Sequence, residues 1–316
     1  MKLGIAQWRN GIKRRCYHGD SDVELLQAFN ATAIAQSAGC GYVHPGDIPH
    51  RLFNGNKLFD PAEVLTIWED EDRVTAWVLV GPRRREYDAQ VRPDLRGRNF
   101  EREVLRYAEN RTLDLIRRHR IEGDRINGDA YQCDTTRVEL LTEMGWVRDG
   151  KPPWVVNRAA LIDLAEPIVP DGYVIRSVGG LGEASAVAEV HAASFGSTWT
   201  PEMYRKVMQS PGYAAEREFI VEAADGTFAA FTVTWHDQVN RTGLLEPVGT
   251  HQDHRRRGLG KALVLYAMRK MAAEGMKYAT VVNEGTNEAS RRLYRECGFK
   301  PWHLLDDFVK PVKPHS

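Results

Sequence analysis

Residues 254–261 read His-Arg-Arg-Arg-Gly-Leu-Gly-Lys, between a strand-like stretch at 243–250 and an apolar-periodic helix that runs to about Gly275. A helix N-terminus presents backbone N–H groups without intrahelical partners and the positive end of the helix dipole. Glycine is needed there wherever a Cβ would keep a phosphate oxygen away from the main chain. The stretch therefore predicts a pyrophosphate site at the start of the helix, although a glycine pair at this position is also a common way to pack a helix on a strand.

A second polar block follows at residues 283–299, where the pattern predicts a strand end and then a short helix closed by Gly298. Spacings of i, i+3, i+4 and i+7 place four polar side chains on one face of that helix, namely Asn287, Ser290, Arg291 and Tyr294. Such a face is typical of a solvent-exposed helix, and a tyrosine on it is equally suited to donate a proton.

In order and spacing, these two blocks resemble the conserved blocks of the GCN5-related N-acetyltransferase (GNAT) superfamily. Arg255-x-x-Gly258-x-Gly260 is similar to the acyl-CoA motif, residues 287–299 are similar to the second block, and the likeness extends over about residues 172–310. The resemblance implies an α/β fold with a mixed central sheet flanked by helices. It also implies acetyl-CoA, or another acyl-CoA, as co-substrate and no metal.

The resemblance further assigns site residues. Residues 246–251 resemble the family's splayed fourth strand, so Val248 and Thr250 are expected to bind pantetheine amides. The amides from Arg256 to Lys261 are expected to hold the pyrophosphate. The residues expected at the cofactor are Val248, Gly249, Thr250, Arg255, Arg256, Arg257, Gly258, Leu259, Gly260, Lys261 and Asn287.

Transfer of an acyl group to an amine by direct attack in a ternary complex needs a base for the ammonium, a donor for the oxyanion and an acid for the departing thiolate. Glu246 is the first candidate for the base, because alternation puts it on the same strand face as Val248 and Thr250. It can equally be a solvated or salt-bridged edge carboxylate. His251 is the other candidate base, since histidine titrates near neutral pH. The resemblance implies that the Val248 N–H polarises the carbonyl and that Tyr294 is the acid. The alternative role for Tyr294 is packing between the helix and the sheet.

The sequence therefore predicts an N-acetyltransferase that acts on a primary amine of unknown identity. We expect the acceptor, a small molecule, between residues 195–199 and the strand ends near Trp235, His236 and Asp237, although tryptophans in a small sheet domain are more often core. One alternative is a catalytically idle acyl-CoA sensor or regulatory module. Another is a protein that binds a different anion, but a P-loop would need Gly-Lys-Ser/Thr at the turn, which is missing.

Residues 164–172 contain two prolines and a final Asp-Gly, and predict a linker between two domains. Residues 172–316 are expected to form the acetyltransferase domain. Residues 1–165 resemble a diverged copy of this domain. The chain therefore resembles the tandem, two-domain members of the family. The expected fold is two GNAT-like domains, each with a mixed central sheet flanked by helices.

The first domain departs from the acyl-CoA pattern. When Arg96 is aligned with Arg255, the two glycines of the turn become Asn99 and Glu101. In the later block, Asp134 replaces Asn287 and Leu141 replaces Tyr294. At an intermediate dielectric, a carboxylate at Glu101 would repel a pyrophosphate a few Å away by on the order of several kcal/mol. We therefore expect no competent acyl-CoA site in this domain.

Composition narrows the class of protein. The 43 basic and 43 acidic residues balance, which leaves no overall drive toward nucleic acid or a membrane. The four cysteines are far apart without C-x-x-C spacing, so reduced thiols are expected rather than a disulfide framework or a zinc site. Residues 1–10 lack a signal-peptide core, and no stretch approaches the roughly 18 apolar residues of a membrane span. These observations predict a soluble, cytoplasmic protein, and leave its oligomeric state open.

Overall fold

The structure, a computed structural model, describes residues 11–71 and 73–312. The helices are α1 Asp20–Ser37, α2 Asp47–Pro49, α3 Pro61–Val64, α4 Asn99–Arg118, α5 Thr135–Glu143, α6 Ala184–Phe195, α7 Pro201–Met208, α8 Leu259–Ala273 and α9 Glu288–Glu296. The strands are β1 Lys13–Cys16, β2 Leu65–Asp70, β3 Arg73–Gly81, β4 Glu86–Val91, β5 Arg125–Tyr131, β6 Val147–Arg148, β7 Trp154–Ala160, β8 Tyr173–Ser177, β9 Glu218–Ala223, β10 Phe228–Asp237, β11 Thr242–Thr250, β12 Tyr278–Asn283 and β13 Lys300–Pro311.

The chain forms two compact units that interleave along the sequence. Among the described residues, unit 1 contains those up to Val43, Gly55–Pro153 and those from His303 onward. Unit 2 contains His44–Asn54 and Trp154–Trp302. These limits differ from the expected boundaries at residues 165 and 172, because the last strand of each sequence half joins the sheet of the other unit, and because residues 44–54 pack with the second half.

Unit 1 contains a mixed sheet in the order β1-β2-β3-β4-β5-β13, with β6 beside β13. The pair β4–β5 is parallel, and the other neighbours are antiparallel. Helix α4 packs against β3 and β4.

Unit 2 repeats this plan in the order β7-β12-β11-β10-β9-β8, with β11–β12 as its parallel pair. Strand β9 alternates its side chains between two cores. Phe219 and Val221 pack with the apolar face of α8, whereas Ile220 packs with α6 and α7. Helices therefore cover both faces of this sheet, which confirms the predicted α/β architecture.

Two short sequence patterns of the second half, Thr200-Pro201, which is typical of a helix start, and Asp225-Gly226, which is typical of a hairpin turn, have the expected structure. Thr200 caps α7 by accepting a hydrogen bond from the Met203 N–H at 3.3 Å, and Pro201 is in the first turn. Asp225 and Gly226 form the turn between β9 and β10, where Gly226 has a φ of 86°.

The expectation of four reduced thiols is wrong. Cys40 and Cys133 form a disulfide with a Cα–Cα distance of 6.2 Å across a sequence separation of 93 residues. The fold of unit 1 brings the loop after α1 beside the loop after β5, and spacing along the chain gives no sign of this. Cys16 and Cys297 are the free cysteines among the described residues.

The expectation about residues 1–10 lies outside the described residues. Within the part of the chain that is described, none of the helices is both long enough and apolar enough to span a membrane.

Candidate active site

The site of unit 2 begins where β11 and β12 separate. Their parallel pairing covers only Thr242, Gly243 and Leu244 of β11. On the other side, the register between β10 and β11 shifts by one residue near Glu246, since Thr234 faces Leu245 while Thr232 faces Val248. The second half of β11 therefore stays paired with β10 and leaves β12, which opens a gap in the sheet.

The main chain of β11 points into this gap at alternate residues. The His251 N–H donates to the Ala229 carbonyl of β10 at 2.9 Å. Because successive residues of an antiparallel strand direct their N–H and C=O groups to opposite sides, Val248 and Thr250 direct theirs away from β10. These are the two residues for which the sequence predicts pantetheine contacts.

The turn before α8 exposes backbone amides. Arg256 and Gly258 both have positive φ, 64° and 82°, so the glycine at 258 suits a left-handed position. Gly258 is the N-cap residue of α8 and no side chain caps the helix there, while the first-turn N–H groups have no intrahelical acceptor.

Gly260 is not required by the protein's own packing. A Cβ built on it would lie 3.5 Å from Leu293 Cδ2 and 3.6 Å from Thr250 Oγ1, both ordinary contacts. Gly260 belongs to the first turn of α8 and lines the cleft. The residues present therefore fit a diphosphate.

A cleft of about 1300 Å³ joins the gap, the turn and α9. Most of the predicted residues line it, namely Val248, Gly249, Thr250, Arg255, Arg256, Gly258, Leu259, Gly260, Lys261, Asn287 and Tyr294. Arg257 and Glu246 are not among its lining residues. Sequence reasoning did not assign Arg292 and Arg295 of α9, which also line the cleft; the cluster of basic residues in 291–295 was the available signal.

The arginines of the turn have different partners. Arg255 donates to the carbonyls of Ser194 at 2.8 Å and Thr250 at 3.3 Å, and so ties the turn to α6 and β11. Arg257 donates to the Tyr173 hydroxyl at 3.2 Å, outside the cleft. Among the predicted cations, Arg256 and Lys261 are the ones left to attract an anion there, with Lys261 Nζ 3.5 Å from Glu296.

Gly249 and Asn287 have structural roles as well as a place in the cleft. A Cβ on Gly249 would lie 2.4 Å from Phe231 and 2.9 Å from Ser194 Cβ, so glycine is needed here to pack α6 on β11. Asn287 is the N-cap of α9, where its side chain accepts a hydrogen bond from the Ser290 N–H at 3.0 Å.

Tyr294 is buried, with 6% of its surface exposed, and its ring packs 5.8 Å from that of Phe299. The polar face of α9 is therefore not solvent-exposed at this residue, because the helix packs its C-terminal half on the core. Burial, and next the negative charge of Glu246, raise the pKa of Tyr294 well above its usual value. The phenol consequently stays protonated at neutral pH, and it lines the cleft.

Glu246 lies next to a residue that sequence reasoning missed. Its side chain is 27% exposed, and Oε1 is 3.4 Å from Nε2 of His50. His50 belongs to the first half of the sequence but packs within unit 2. No local pattern marks it, because the pairing depends on how residues 44–54 fold into this unit.

The alternative base, His251, is at the end of β11. Its Nδ1 accepts a hydrogen bond from the Asp253 N–H at 3.2 Å, and its ring is 5.4 Å from that of His254. His251 is not among the residues that line the cleft.

At one end of the expected acceptor region, Trp235 belongs to the core, which is the alternative predicted from the sequence for tryptophans. Trp235 is buried and its indole N–H donates to the Glu246 carbonyl at 2.8 Å, so it supports the bulge from the core. Burial lowers the pKa of His236 to about 4, and Asp237 accepts hydrogen bonds from the backbone of the following turn. Trp235 and Asp237 thus stabilise the β10–β11 hairpin.

At the other end of the expected region, an aromatic cluster surrounds the buried His191. Its ring centroid is 4.5 Å from that of Trp199, 5.0 Å from that of Phe231 and 5.1 Å from that of Phe195. Phe195 is about half exposed and lines the cleft.

The corresponding turn of unit 1 is occupied by its own carboxylate. Glu101 is fully buried and accepts hydrogen bonds from the Gly97 N–H at 2.5 Å and from Arg137 Nε at 2.7 Å, with Arg96 Nε at 3.6 Å. Burial opposes ionisation, but Arg137 and Arg96 outweigh it and lower the pKa of Glu101. The carboxylate thus sits where the glycine turn of unit 2 leaves room for an anion.

Comparisons with known proteins identify a family and relatives that the chain is similar to. Residues 184–299 match the model of the Acetyltransferase (GNAT) family. A mycothiol acetyltransferase of Thermobispora bispora is 27% identical over 159 residues, 47% of this chain and 54% of that protein. One from Saccharomonospora viridis is 25% identical over 230 residues, 66% of this chain and 74% of that protein. The chain thus spans about half the length of the first relative.

Two solved structures share the fold over almost the whole chain. A GCN5-related N-acetyltransferase from Sphaerobacter thermophilus aligns with a TM-score of 0.63 and 19% identity, covering 98% of each chain. A tandem GNAT protein from the clavulanic acid biosynthesis pathway aligns with a TM-score of 0.64 and 16% identity, covering 96% of this chain and 100% of that one.

Proposed function

The chain belongs to the GNAT superfamily as a tandem protein, and from this premise we propose that it is an acyl-CoA-dependent N-acyltransferase. The proposed reaction moves an acetyl group from acetyl-CoA to a primary amine, by direct attack in a ternary complex. The observation that carries the proposal is the cleft of unit 2, where uncapped amides of the α8 turn, the open main chain of β11 and the Tyr294 phenol share one space.

Acetyl-CoA is the proposed co-substrate. The backbone from Arg256 to Lys261 would bind its pyrophosphate, because a helix N-terminus with glycines is suited to a doubly charged anion. The main-chain groups of Val248 and Thr250, which face the gap, would bind the pantetheine arm, with Asn287 on its other side.

The chemistry needs three groups. Glu246 takes a proton from the acceptor ammonium, and the freed lone pair forms the N–C bond with the thioester carbonyl, whose oxygen the Val248 N–H polarises. The C–S bond then breaks, and Tyr294 gives its proton to the sulfur of CoA. The nitrogen loses its second proton to the tyrosinate, which restores Tyr294, and Glu246 releases its proton to water. The products are the acetamide, CoA thiol and one proton.

Unit 1 is proposed to have no competent acyl-CoA site. Its counterpart of the phosphate turn is filled by Glu101, which is already paired with Arg96 and Arg137. A pyrophosphate would have to displace a buried carboxylate from two arginines.

The proposed acceptor is a small-molecule amine, as the name of the mycothiol acetyltransferase relatives suggests for those proteins. Nucleic acid and membranes are not proposed as partners, since the charges of the chain balance.

A thiol-release assay tests the proposal. The full chain is incubated with acetyl-CoA and a panel of primary amines, and free CoA is read with a chromogenic thiol reagent. At least one amine should raise thiol release well above the rate with water alone. Tyr294→Phe should lower kcat by about 10²- to 10⁴-fold, as expected for loss of a general acid, and leave CoA affinity unchanged.

Tyr266→Phe is the matched control, because Tyr266 belongs to α8 but does not line the cleft. Full activity in Tyr294→Phe would refute the general-acid assignment. Binding of acetyl-CoA without turnover on any amine would favour the idle sensor instead.

A further inference from the structure

We propose that His50 is the positioning residue for the Glu246 carboxylate, and that Asn54 fixes the ring of His50 in the required tautomer. This inference rests on the proposed function, since it concerns the base of the same reaction. It also gives residues 44–54 a role in unit 2: they carry a part of the site that the GNAT-like half of the sequence does not encode.

The segment is firmly seated in unit 2. Gly46 packs so closely on Trp235 that a Cβ at this glycine would lie 2.1 Å from the tryptophan Cβ. His44 Nε2 lies 3.3 Å from the Thr242 carbonyl of β11, and its Nδ1 accepts a hydrogen bond from the Gly46 N–H at 3.0 Å. Ile48 is buried as well. His50 thus starts from a backbone anchored on both β10 and β11.

The side-chain amide of Asn54 lies beside one ring nitrogen of His50. Asn54 Nδ2 is 3.4 Å from His50 Nδ1 and 3.5 Å from His191 Nε2. An amide nitrogen can only donate, so with this orientation of Asn54 both ring nitrogens accept. A neutral His50 must then carry its proton on Nε2, the nitrogen that faces Glu246 Oε1 at 3.4 Å.

This arrangement favours a base that is ready to act. An N–H directed at a carboxylate stabilises the ionised form, which is the form that accepts a proton from an ammonium. It also restricts rotation of the half-buried Glu246 side chain. His50 itself neither gains nor loses a proton in the reaction.

Asn54 also connects this pair to the aromatic cluster around His191. The series Glu246, His50, Asn54 and His191 is continuous, with successive distances of 3.4, 3.4 and 3.5 Å. It joins the bulge of β11 to the helix α6 whose end lines the cleft. Residues 50–54 therefore contact both the Glu246 carboxylate and the aromatic cluster around His191.

The first test is spectroscopic and needs no acceptor. The full chain is labelled with ¹⁵N-histidine, and long-range ¹H–¹⁵N spectra are recorded at about pH 8, where an unperturbed imidazole is neutral. The resonances of His50, one of 10 histidines, are assigned by their loss in His50→Gln. His50 should be protonated at Nε2. Glu246→Gln should shift that N–H resonance, and Asn54→Leu should produce a mixture of tautomers.

Protonation of His50 at Nδ1, or resonances that neither variant alters, would overturn the proposal. His18→Gln is the matched control, because His18 is exposed in unit 1, and it should leave the His50 signals unchanged.

The second test measures transfer, with the amine that gives turnover in the panel. His50→Leu should lower kcat about 10-fold or more, as loss of base orientation requires, with the KM for acetyl-CoA unchanged. His50→Gln, whose amide N–H can replace the Nε2 donor, should recover most of that loss. Equal losses in both variants, or a rise in the KM for acetyl-CoA alone, would contradict a positioning role. If no amine is acetylated, the proposed reaction fails, while the tautomer measurement still decides whether His50 and Asn54 are arranged as stated.

Discussion

Alanine substitutions at two glycines of the cleft, Gly249 and Gly260, should have different effects on stability and on CoA binding. Gly260→Ala is the informative substitution. A methyl group there meets only ordinary contacts, at 3.5 Å from Leu293 and 3.6 Å from Thr250. Alanine also has a higher helix propensity than glycine, by up to about 1 kcal/mol. The variant should therefore unfold at the wild-type temperature or slightly above it.

Its affinity for CoA should nevertheless fall. The methyl group would keep a phosphate oxygen from the first-turn amides and remove about one charge-assisted hydrogen bond. Such a bond contributes about 1.5 to 3 kcal/mol, which corresponds to about a 10- to 150-fold weaker Kd.

Gly249→Ala is the matched comparison, because its methyl group would lie 2.4 Å from Phe231. Overpacking of this kind costs about 1 to 3 kcal/mol, so this variant should unfold several degrees earlier. Thermal unfolding and isothermal titration with CoA measure both effects. Wild-type CoA affinity in a folded Gly260→Ala protein would refute the assignment of the α8 turn to the pyrophosphate.

Three further outcomes concern stability and the first unit. Burial raises the pKa of Glu218, which accepts hydrogen bonds from two tyrosine hydroxyls, to about 7. The contribution of Glu218 to the free energy of unfolding is therefore present below its unfolded pKa and is lost as pH rises through about 7. In urea unfolding, the free energy of unfolding of the wild type should fall by about 3 kcal/mol over that interval, relative to that of Glu218→Gln. Cys40→Ser should lower the free energy of unfolding by about 3 to 4.5 kcal/mol, since the bond to Cys133 closes a loop with a separation of 93 residues; an unchanged value under non-reducing conditions would argue against the disulfide. Glu101→Gln should lower the free energy of unfolding by about 3 kcal/mol, because it leaves buried arginine charge uncompensated. It should not create a second CoA site, and a second equivalent of CoA bound in titration would contradict this.

The part of the fold that the sequence predicts is the part that local chemistry determines. Gly258, the Thr200 cap and the Asp225-Gly226 turn each specify their own backbone, and the structure has each of them as expected. The basic glycine turn after a strand also pointed to the region where the structure has the cleft.

The remainder depends on contacts between distant residues. The partner of Glu246 is His50, and the partner of Cys40 is Cys133, and no spacing rule connects either pair. The exchange of final strands between the units likewise follows from sheet pairing rather than from periodicity. Gly249 is a further example of what the sequence alone does not predict. Glycine is required at this position because of Phe231, and only the packed structure places Phe231 against it.

The central claim is that an acyl-CoA binds at the α8 turn of unit 2 and at no other place on the chain. Isothermal titration of the wild-type protein with CoA tests it most directly. One equivalent should bind per chain, and Gly260→Ala should bind CoA with a Kd about 10- to 150-fold weaker. No binding, or two equivalents per chain, would contradict it.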